Sequence, residues 1–166
     1  MLNLNYICEQ TITKITMKTI KDINFKGTKA LIRVDFNVPL NKEFQVTDTT
    51  RIKAAKPTIL KVLEDGGAAV LMSHLGRPKG VEAKFSLEHI VEKVTQVLGV
   101  QAKFVDACVG GKAEAAVAAL KPGEVLILEN LRFHKEETAG DLAFSEQLSK
   151  LGDVYVNDAF GTAHRA

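Results

Sequence analysis

The chain has 166 residues, of which 46% are hydrophobic and 25% charged, and its formal net charge is +2. This composition is typical of one globular domain with a sizeable core, and it excludes collagen-like, fibrous and low-complexity proteins. So small a net charge does not favour a nucleic-acid or membrane-surface partner, and we expect neither.

The beginning of the chain differs from the rest. Residues 1–16 contain one Lys, no Arg and no apolar core of the kind that a signal peptide has. We expect a loosely ordered extension there, followed by a single domain over residues 17–166. The two cysteines, Cys8 and Cys108, are isolated and suit a reducing compartment, so we expect a cytoplasmic location.

Apolar runs bounded by turn residues predict five strands, and helical periodicity predicts four helices between them. The predicted strands span residues 29–34, 68–73, 102–106, 124–128 and 153–156. The predicted helices span residues 51–64, 87–98, 112–120 and 141–151. Alternating strands and helices with short connections predict an α/β fold, a doubly wound parallel sheet with helices on both faces in a three-layer α/β/α arrangement.

Capping residues mark two of the helices. The segment 48–50 (Asp-Thr-Thr) offers N-cap side chains for the first helix, and Ser86 offers one for the second. Gly99 is predicted to end the second helix, because glycine adopts the left-handed conformation common after a helix C-terminus.

Polar residues follow four of the predicted strands at their carboxyl ends. These exits read Asp35-Phe36-Asn37, His74-Leu75-Gly76-Arg77, Asn130-Leu131-Arg132 and His164-Arg165, and Arg51 begins the helix after the first. Because parallel strands end at the same edge of a sheet, we expect these side chains to share one concave rim. Arginine binds phosphate or carboxylate through its planar fork, and Gly76 allows close backbone approach. The rim therefore predicts a site for a small polyanion, with Asp35 and Asn37 available to a hydroxyl or carboxyl group.

Each exit residue also has a structural interpretation. A lone arginine beyond a strand usually forms a surface salt bridge, and a lone histidine is often a satisfied loop residue. Asp35 and Asn37 can stabilise a turn, while Phe36 and Leu75 can pack in the core. The distribution of cations favours a site: four of the five arginines lie at this edge, whereas the 17 lysines are spread along the chain.

Several chemistry-bearing motifs are missing. The sequence lacks the phosphate-binding loop of P-loop enzymes, the dinucleotide Gly-x-Gly-x-x-Gly, a His/Cys/Glu cluster and a nucleophile elbow. We therefore predict no nucleotide site, no metal site and no covalent nucleophile in this chain.

Four long segments, in order along the chain, resemble phosphoglycerate kinase. They are 33–39 (RVDFNVP), 73–80 (SHLGRPKG), 128–134 (LENLRFH) and 154–166 (VYVNDAFGTAHRA). The resemblance runs from about residue 17 to the end and implies the Rossmann-like N-terminal domain, which binds 3-phosphoglycerate in that family.

The resemblance also implies residue roles. Asp35 and Asn37 match the residues that contact the hydroxyl and carboxyl end of the substrate. Arg51 matches the arginine brought to the transferring phosphoryl group, which makes it the catalytic candidate. The residues that match the phosphate-holding patch are His74, Arg77, Arg132 and Arg165. The residues Phe36, Leu75 and Gly76 lie in the same motifs and are also predicted to bind substrate.

The implied reaction is reversible phosphoryl transfer between 1,3-bisphosphoglycerate and ADP in glycolysis. In the family, Mg-ADP or Mg-ATP binds a second domain that the present chain does not include, so we expect this chain alone to be inactive. The partners expected are 3-phosphoglycerate or 1,3-bisphosphoglycerate and that nucleotide domain. The alternative is a freestanding module that binds small polyanions without catalysis.

Overall fold

The computed structural model describes residues 19–159, so the expected extension and the exit His164-Arg165 lie outside the described residues. The strands are β1 (Lys29–Val34), β2 (Ala68–Met72), β3 (Ala102–Val105), β4 (Val125–Leu128) and β5 (Val154–Asp158). The α-helices are α1 (Thr50–Glu64), α2 (Val91–Leu98), α3 (Gly111–Ala118), α4 (Lys135–Ala139) and α5 (Leu142–Ser149). Single 3-10 turns occupy Ile20–Asp22, Ala83–Phe85, Leu87–Ile90 and Leu131–Phe133.

The five strands form one sheet in the order β3-β4-β2-β1-β5, and every neighbouring pair is parallel. Helices α1 and α2 pack on one face, and α3 and α5 pack on the other. This confirms the doubly wound, three-layer α/β/α fold, which the alternation of strands and helices predicts. Among the described residues, no helix is long and apolar enough to cross a membrane.

Strand β1 divides its side chains between the two faces. Ala30, Ile32 and Val34 join the core under α1 and α2, whereas Leu31 joins the core under α3 and α5. Since successive strand residues point to opposite faces, Arg33 shares the face of Leu31. The Arg33 guanidinium group therefore lies on the face that α3 and α5 cover, near the carboxyl end of β1.

The predicted caps are confirmed in part. Ser86 Oγ accepts from the Glu88 backbone N–H at 3.1 Å, but the helix it begins opens as a 3-10 turn before α2, and Gly99 ends α2 at φ 76°. At α1, Thr49 is the N-cap without a side-chain bond. Asp48 supplies the acceptor instead, since its Oδ1 lies 2.7 Å from the Thr50 backbone nitrogen.

Helix α4 has no counterpart among the predicted helices. It follows the exit of β4 and has five residues, too few for apolar periodicity to reveal. Gly140 ends it at φ 66°, and Asp141 then caps α5 by accepting from the Phe144 backbone N–H at 2.7 Å. The short helix matters because it carries Glu137 to the carboxyl edge of the sheet.

Candidate functional site

The exits of β1 and β2 are hydrogen-bonded to each other. Ser73 Oγ accepts from the Phe36 backbone N–H at 2.9 Å, and Asn37 Oδ1 accepts from the Gly76 backbone N–H at 2.8 Å. Asp35 Oδ1 in turn accepts from the Asn37 backbone N–H at 3.2 Å. The two segments therefore form one rigid edge, with the Asp35 and Asn37 side chains built into it.

Asn130 connects the exit of β4 to that edge. Its side chain is fully buried; Nδ2 donates to the carbonyl oxygens of Leu75 and Phe85 at 2.8 and 2.9 Å. Its Oδ1 accepts from the backbone N–H groups of Leu75 and Arg132 at 3.3 and 3.0 Å. All the hydrogen-bonding capacity of the amide is used, so Asn130 organises the site without facing a ligand. From the sequence, Asn130 was expected among the side chains of the concave rim, two residues after an apolar strand; its buried structural role was not predicted.

The surroundings of position 76 require glycine, a residue without a side chain. Its φ is 64°, and a Cβ built on it would lie 2.5 Å from the Phe85 ring. Its carbonyl oxygen accepts from Arg132 Nη1 at 2.9 Å. The turn of β2 is therefore fixed from both sides, by Asn37 on its nitrogen and by Arg132 on its oxygen.

Two largely buried arginines flank a carboxylate at the same edge. Arg33 Nη2 lies 2.6 Å from Glu137 Oε1, and Arg132 Nε lies 3.9 Å from Glu137 Oε2. The three side chains are only 11%, 13% and 14% exposed for Arg33, Arg132 and Glu137. Nothing in the sequence pattern indicates that Glu137 is the partner of Arg33.

Two further arginines are accessible. Arg51, in the first turn of α1, pairs with Asp35 across the gap between α1 and the β1 exit, with side-chain exposures of 49% and 23%. Arg77 is exposed and forms no hydrogen bond or ion pair with residues 19–159. A guanidinium group on a fixed turn without a partner there is available to an incoming anion.

His74 is nearly buried, with 5% exposure, and lies in the field of these arginines. Burial, followed by the charges of Arg132 and Arg33, lowers the pKa of His74 to about 4. Its Nδ1 accepts or donates no hydrogen bond within the described part of the chain. The ring is therefore neutral at pH 7 and retains one unsatisfied polar atom at the site.

The side chains of Phe36 and Leu75 lie in the core that faces α1 and α2. Their backbone N–H groups already donate to Ser73 and Asn130. The structure thus brings together the described candidates Asp35, Asn37, Arg51, His74, Gly76, Arg77 and Arg132 at one edge. Substrate contacts of Phe36 and Leu75 stay predictions, and Arg165 lies outside the described residues.

Two cavities meet at Arg132. One, of about 460 Å³, is lined by Arg33, Glu137 and residues of α5 and β5. The other, of about 430 Å³, is bordered by Lys79, His134 and Lys135 in addition to Arg132. Within residues 19–159 no group of three or more His, Cys, Asp or Glu side chains is arranged to hold a metal ion. The edge is thus a cationic surface that suits a small polyanion.

Comparison with known proteins agrees with this geometry. The family model described as phosphoglycerate kinase matches residues 20–166. The phosphoglycerate kinase of Chloroflexus aurantiacus is 57% identical over 152 residues, which are 90% of this chain and 38% of that protein. That of Moorella thermoacetica is 56% identical over 149 residues, with 89% and 38% covered.

Solved structures agree as well. Phosphoglycerate kinase from Pyrococcus horikoshii superposes with a TM-score of 0.80 at 35% identity, covering 90% of this chain and 38% of that one. The enzyme from Coxiella burnetii gives 0.77 at 31% identity, covering 88% and 36%. The chain therefore spans less than two fifths of the length of these relatives. Because the family model covers nearly the whole chain, the chain belongs to the phosphoglycerate kinase family.

Proposed function

We propose that this chain binds 3-phosphoglycerate or 1,3-bisphosphoglycerate as one part of a phosphoglycerate kinase. The observation that supports this is a set of hydrogen bonds that join three strand exits. These bonds hold Asp35, His74, Arg77 and Arg132 at one edge. If these charged residues only formed separate surface salt bridges, their strand exits would not need to be hydrogen-bonded to one another.

The phosphate of the ligand is assigned to the β2 and β4 exits. Arg77 offers an accessible guanidinium group without a partner in residues 19–159, and Arg132 offers a positive charge that is positioned by its bond to the Gly76 carbonyl oxygen. The unsatisfied Nδ1 of the neutral His74 supplies a hydrogen bond rather than a charge. Arg165 is proposed as the fourth member.

The carboxyl and hydroxyl end is assigned to the β1 exit. Asn37 Oδ1 accepts from Gly76, and its Nδ2 forms no hydrogen bond with residues 19–159, so Nδ2 can donate to a ligand. Asp35 now pairs with Arg51, and a ligand hydroxyl group would compete for that carboxylate. The exchange would release Arg51 to stabilise charge on a transferring phosphoryl group.

The reaction proposed for the whole protein is phosphoryl transfer between 1,3-bisphosphoglycerate and ADP. It needs no covalent enzyme intermediate, since positioning and charge stabilisation supply the catalysis. Mg-ADP or Mg-ATP is proposed to bind a domain outside this chain, and the chain alone is expected not to turn over.

The test is a titration of the chain with 3-phosphoglycerate followed by amide chemical shifts. We expect shifts at Arg77 and Arg132, and a loss of affinity of about tenfold or more in Arg77→Ala, which removes a charged hydrogen bond. The matched control, Lys150→Ala, removes an equal charge from the exposed end of α5 and should change the affinity less than twofold.

Two results would contradict the proposal. Equal affinities of the parent and Arg77→Ala would remove Arg77 from the site. Phosphoryl transfer by the chain without an added nucleotide-binding half would show that it does not need a second domain. Anion binding without any activity after that half is added would favour the freestanding binding module.

A further inference from the structure

Arg33, Arg132 and Glu137 form a largely buried charged cluster at the carboxyl edge of the sheet. It lies on β1, the 3-10 turn after β4 and helix α4, so three separate segments converge on one carboxylate. Two guanidinium charges and one carboxylate give the cluster a net charge of +1. Each of the three side chains is less than 15% exposed.

Glu137 meets its two arginines in different ways. Its Oε1 forms a hydrogen-bonded pair with Arg33 at 2.6 Å. Its Oε2 is buried, lies 3.9 Å from Arg132 Nε, and accepts no hydrogen bond within residues 19–159. The carboxylate thus acts on Arg132 through charge rather than through a hydrogen bond.

We propose that Glu137 is an internal counter-anion, a carboxylate that offsets one buried guanidinium charge and weakens phosphate binding at the adjoining site. The proposal rests on the proposed function for its ligand. A buried negative charge near a bound dianion opposes binding strongly, because screening by water is incomplete there. Glu137 therefore lowers the affinity that Arg77 and Arg132 give the site.

Such a residue suits an enzyme that must release its ligand in every turnover. Interactions that bind the ground state and the transition state equally lower KM without raising kcat. Two uncompensated arginines beneath the site would strengthen binding in that uniform way. A fixed carboxylate removes the excess attraction without changing which residues contact the ligand.

Glu137→Gln tests the proposal, because it keeps the shape and removes the charge. We expect the Kd for 3-phosphoglycerate and for inorganic phosphate to fall about five- to tenfold, measured from amide shifts at Arg77 and Arg132. The matched control is Glu146→Gln, an exposed residue of α5 whose side chain forms no ion pair with residues 19–159. Its Kd should stay within about twofold of the parent value.

A double-mutant cycle on Arg33 and Glu137 keeps the test valid if Glu137→Gln does not fold. Arg33→Met should weaken phosphate binding about five- to tenfold, because it leaves Glu137 uncompensated. Arg33→Met/Glu137→Gln removes opposite charges together and should return the Kd to within about twofold of the parent. A Kd that is unchanged or raised in Glu137→Gln, or a double variant without recovery, overturns the proposal.

The two anions separate this inference from the proposed function. If 3-phosphoglycerate binds no better than inorganic phosphate, while Glu137→Gln still tightens phosphate binding, the substrate assignment fails and the counter-anion stands. If 3-phosphoglycerate binds preferentially but Glu137→Gln does not tighten binding, only the counter-anion fails. Absence of any shift with either anion, in the parent and in Glu137→Gln, overturns both.

Discussion

Arg132 and Gly76 belong to different strand exits, and Arg132 Nη1 donates to the Gly76 carbonyl oxygen across 2.9 Å. A cation that is proposed to hold the ligand thus also holds the turn on which Arg77 is mounted. Substitutions that disturb the turn should therefore change ligand binding and stability together.

Asn130→Ala should destabilise the chain by about 2–4 kcal/mol, because it leaves buried backbone groups of Leu75 and Phe85 unpaired. Urea unfolding measures the change. Asn24→Ala is the control; its Oδ1 accepts only an exposed local bond from Lys26, so the cost should stay below about 1 kcal/mol. Similar losses in the two variants would contradict the central role of Asn130.

Gly76→Ala should destabilise the chain by more than Gly123→Ala does. Both glycines have positive φ, but a Cβ at Gly76 would lie 2.5 Å from the Phe85 ring, whereas a Cβ at Gly123 meets nothing within 4 Å. We expect about 1 kcal/mol for Gly123→Ala from the left-handed backbone alone, and about 1–3 kcal/mol more at Gly76 from overpacking.

The double variant Gly76→Ala/Phe85→Ala separates the steric cost from the backbone cost. It should cost less than the two single variants added together, since the ring that causes the clash is gone. Strict additivity of the three unfolding free energies would show that Phe85 is not what excludes a side chain at Gly76.

His74 should make the stability depend on pH. Its pKa is lowered to about 4 in the folded chain, against about 6.5 in an unfolded one, so between these values the unfolded state binds the extra proton. The stability contributed by neutral His74 is therefore complete above about pH 6.5 and decreases as the pH falls toward 4, by on the order of 2–3 kcal/mol.

The measurement is the difference in unfolding free energy between the parent and His74→Gln from pH 4 to 7. Glutamine cannot take up the proton, so the carboxylates common to both proteins cancel in the difference. The parent should lose more stability than the variant as the pH falls. Parallel pH profiles would contradict the burial of a neutral imidazole.

Cys108 should be unreactive in the folded chain. Burial raises the pKa of its thiol to about 12, and Sγ donates to the Glu129 carbonyl oxygen at 3.0 Å. In a Cys8→Ser background, a thiol reagent at pH 8 should label the chain only after urea unfolds it. Rapid labelling of the folded chain would show that the thiol is accessible.

The strands and the shared edge could be predicted because both depend on local patterns. β2 and β4 are buried along their whole length, and buried parallel strands appear in a sequence as continuous apolar runs. The exits follow from topology, since all carboxyl ends of a parallel sheet lie together. Arg51, Arg77 and Arg132 were therefore assigned to one edge from their order in the chain.

The contacts within the edge could not be predicted in the same way. Glu137 lies on a five-residue helix without periodicity, and 104 residues separate it from Arg33. Asn130 satisfies backbone groups 45 and 55 residues away, and the amide alone does not indicate which ones. Side-chain partners at such separations depend on how the elements pack, which local propensity does not encode.

The four hydrogen bonds of the Asn130 side-chain amide have a consequence for local motion. They join the Leu75 turn, the Phe85 segment and the Arg132 turn through one buried side chain. If one of these segments detached alone, the buried amide would be left with unpaired hydrogen-bonding groups. The edge should therefore open as one cooperative unit. Hydrogen exchange at the Leu75 and Arg132 amides, which share Asn130 Oδ1 as acceptor, should then report the same opening free energy.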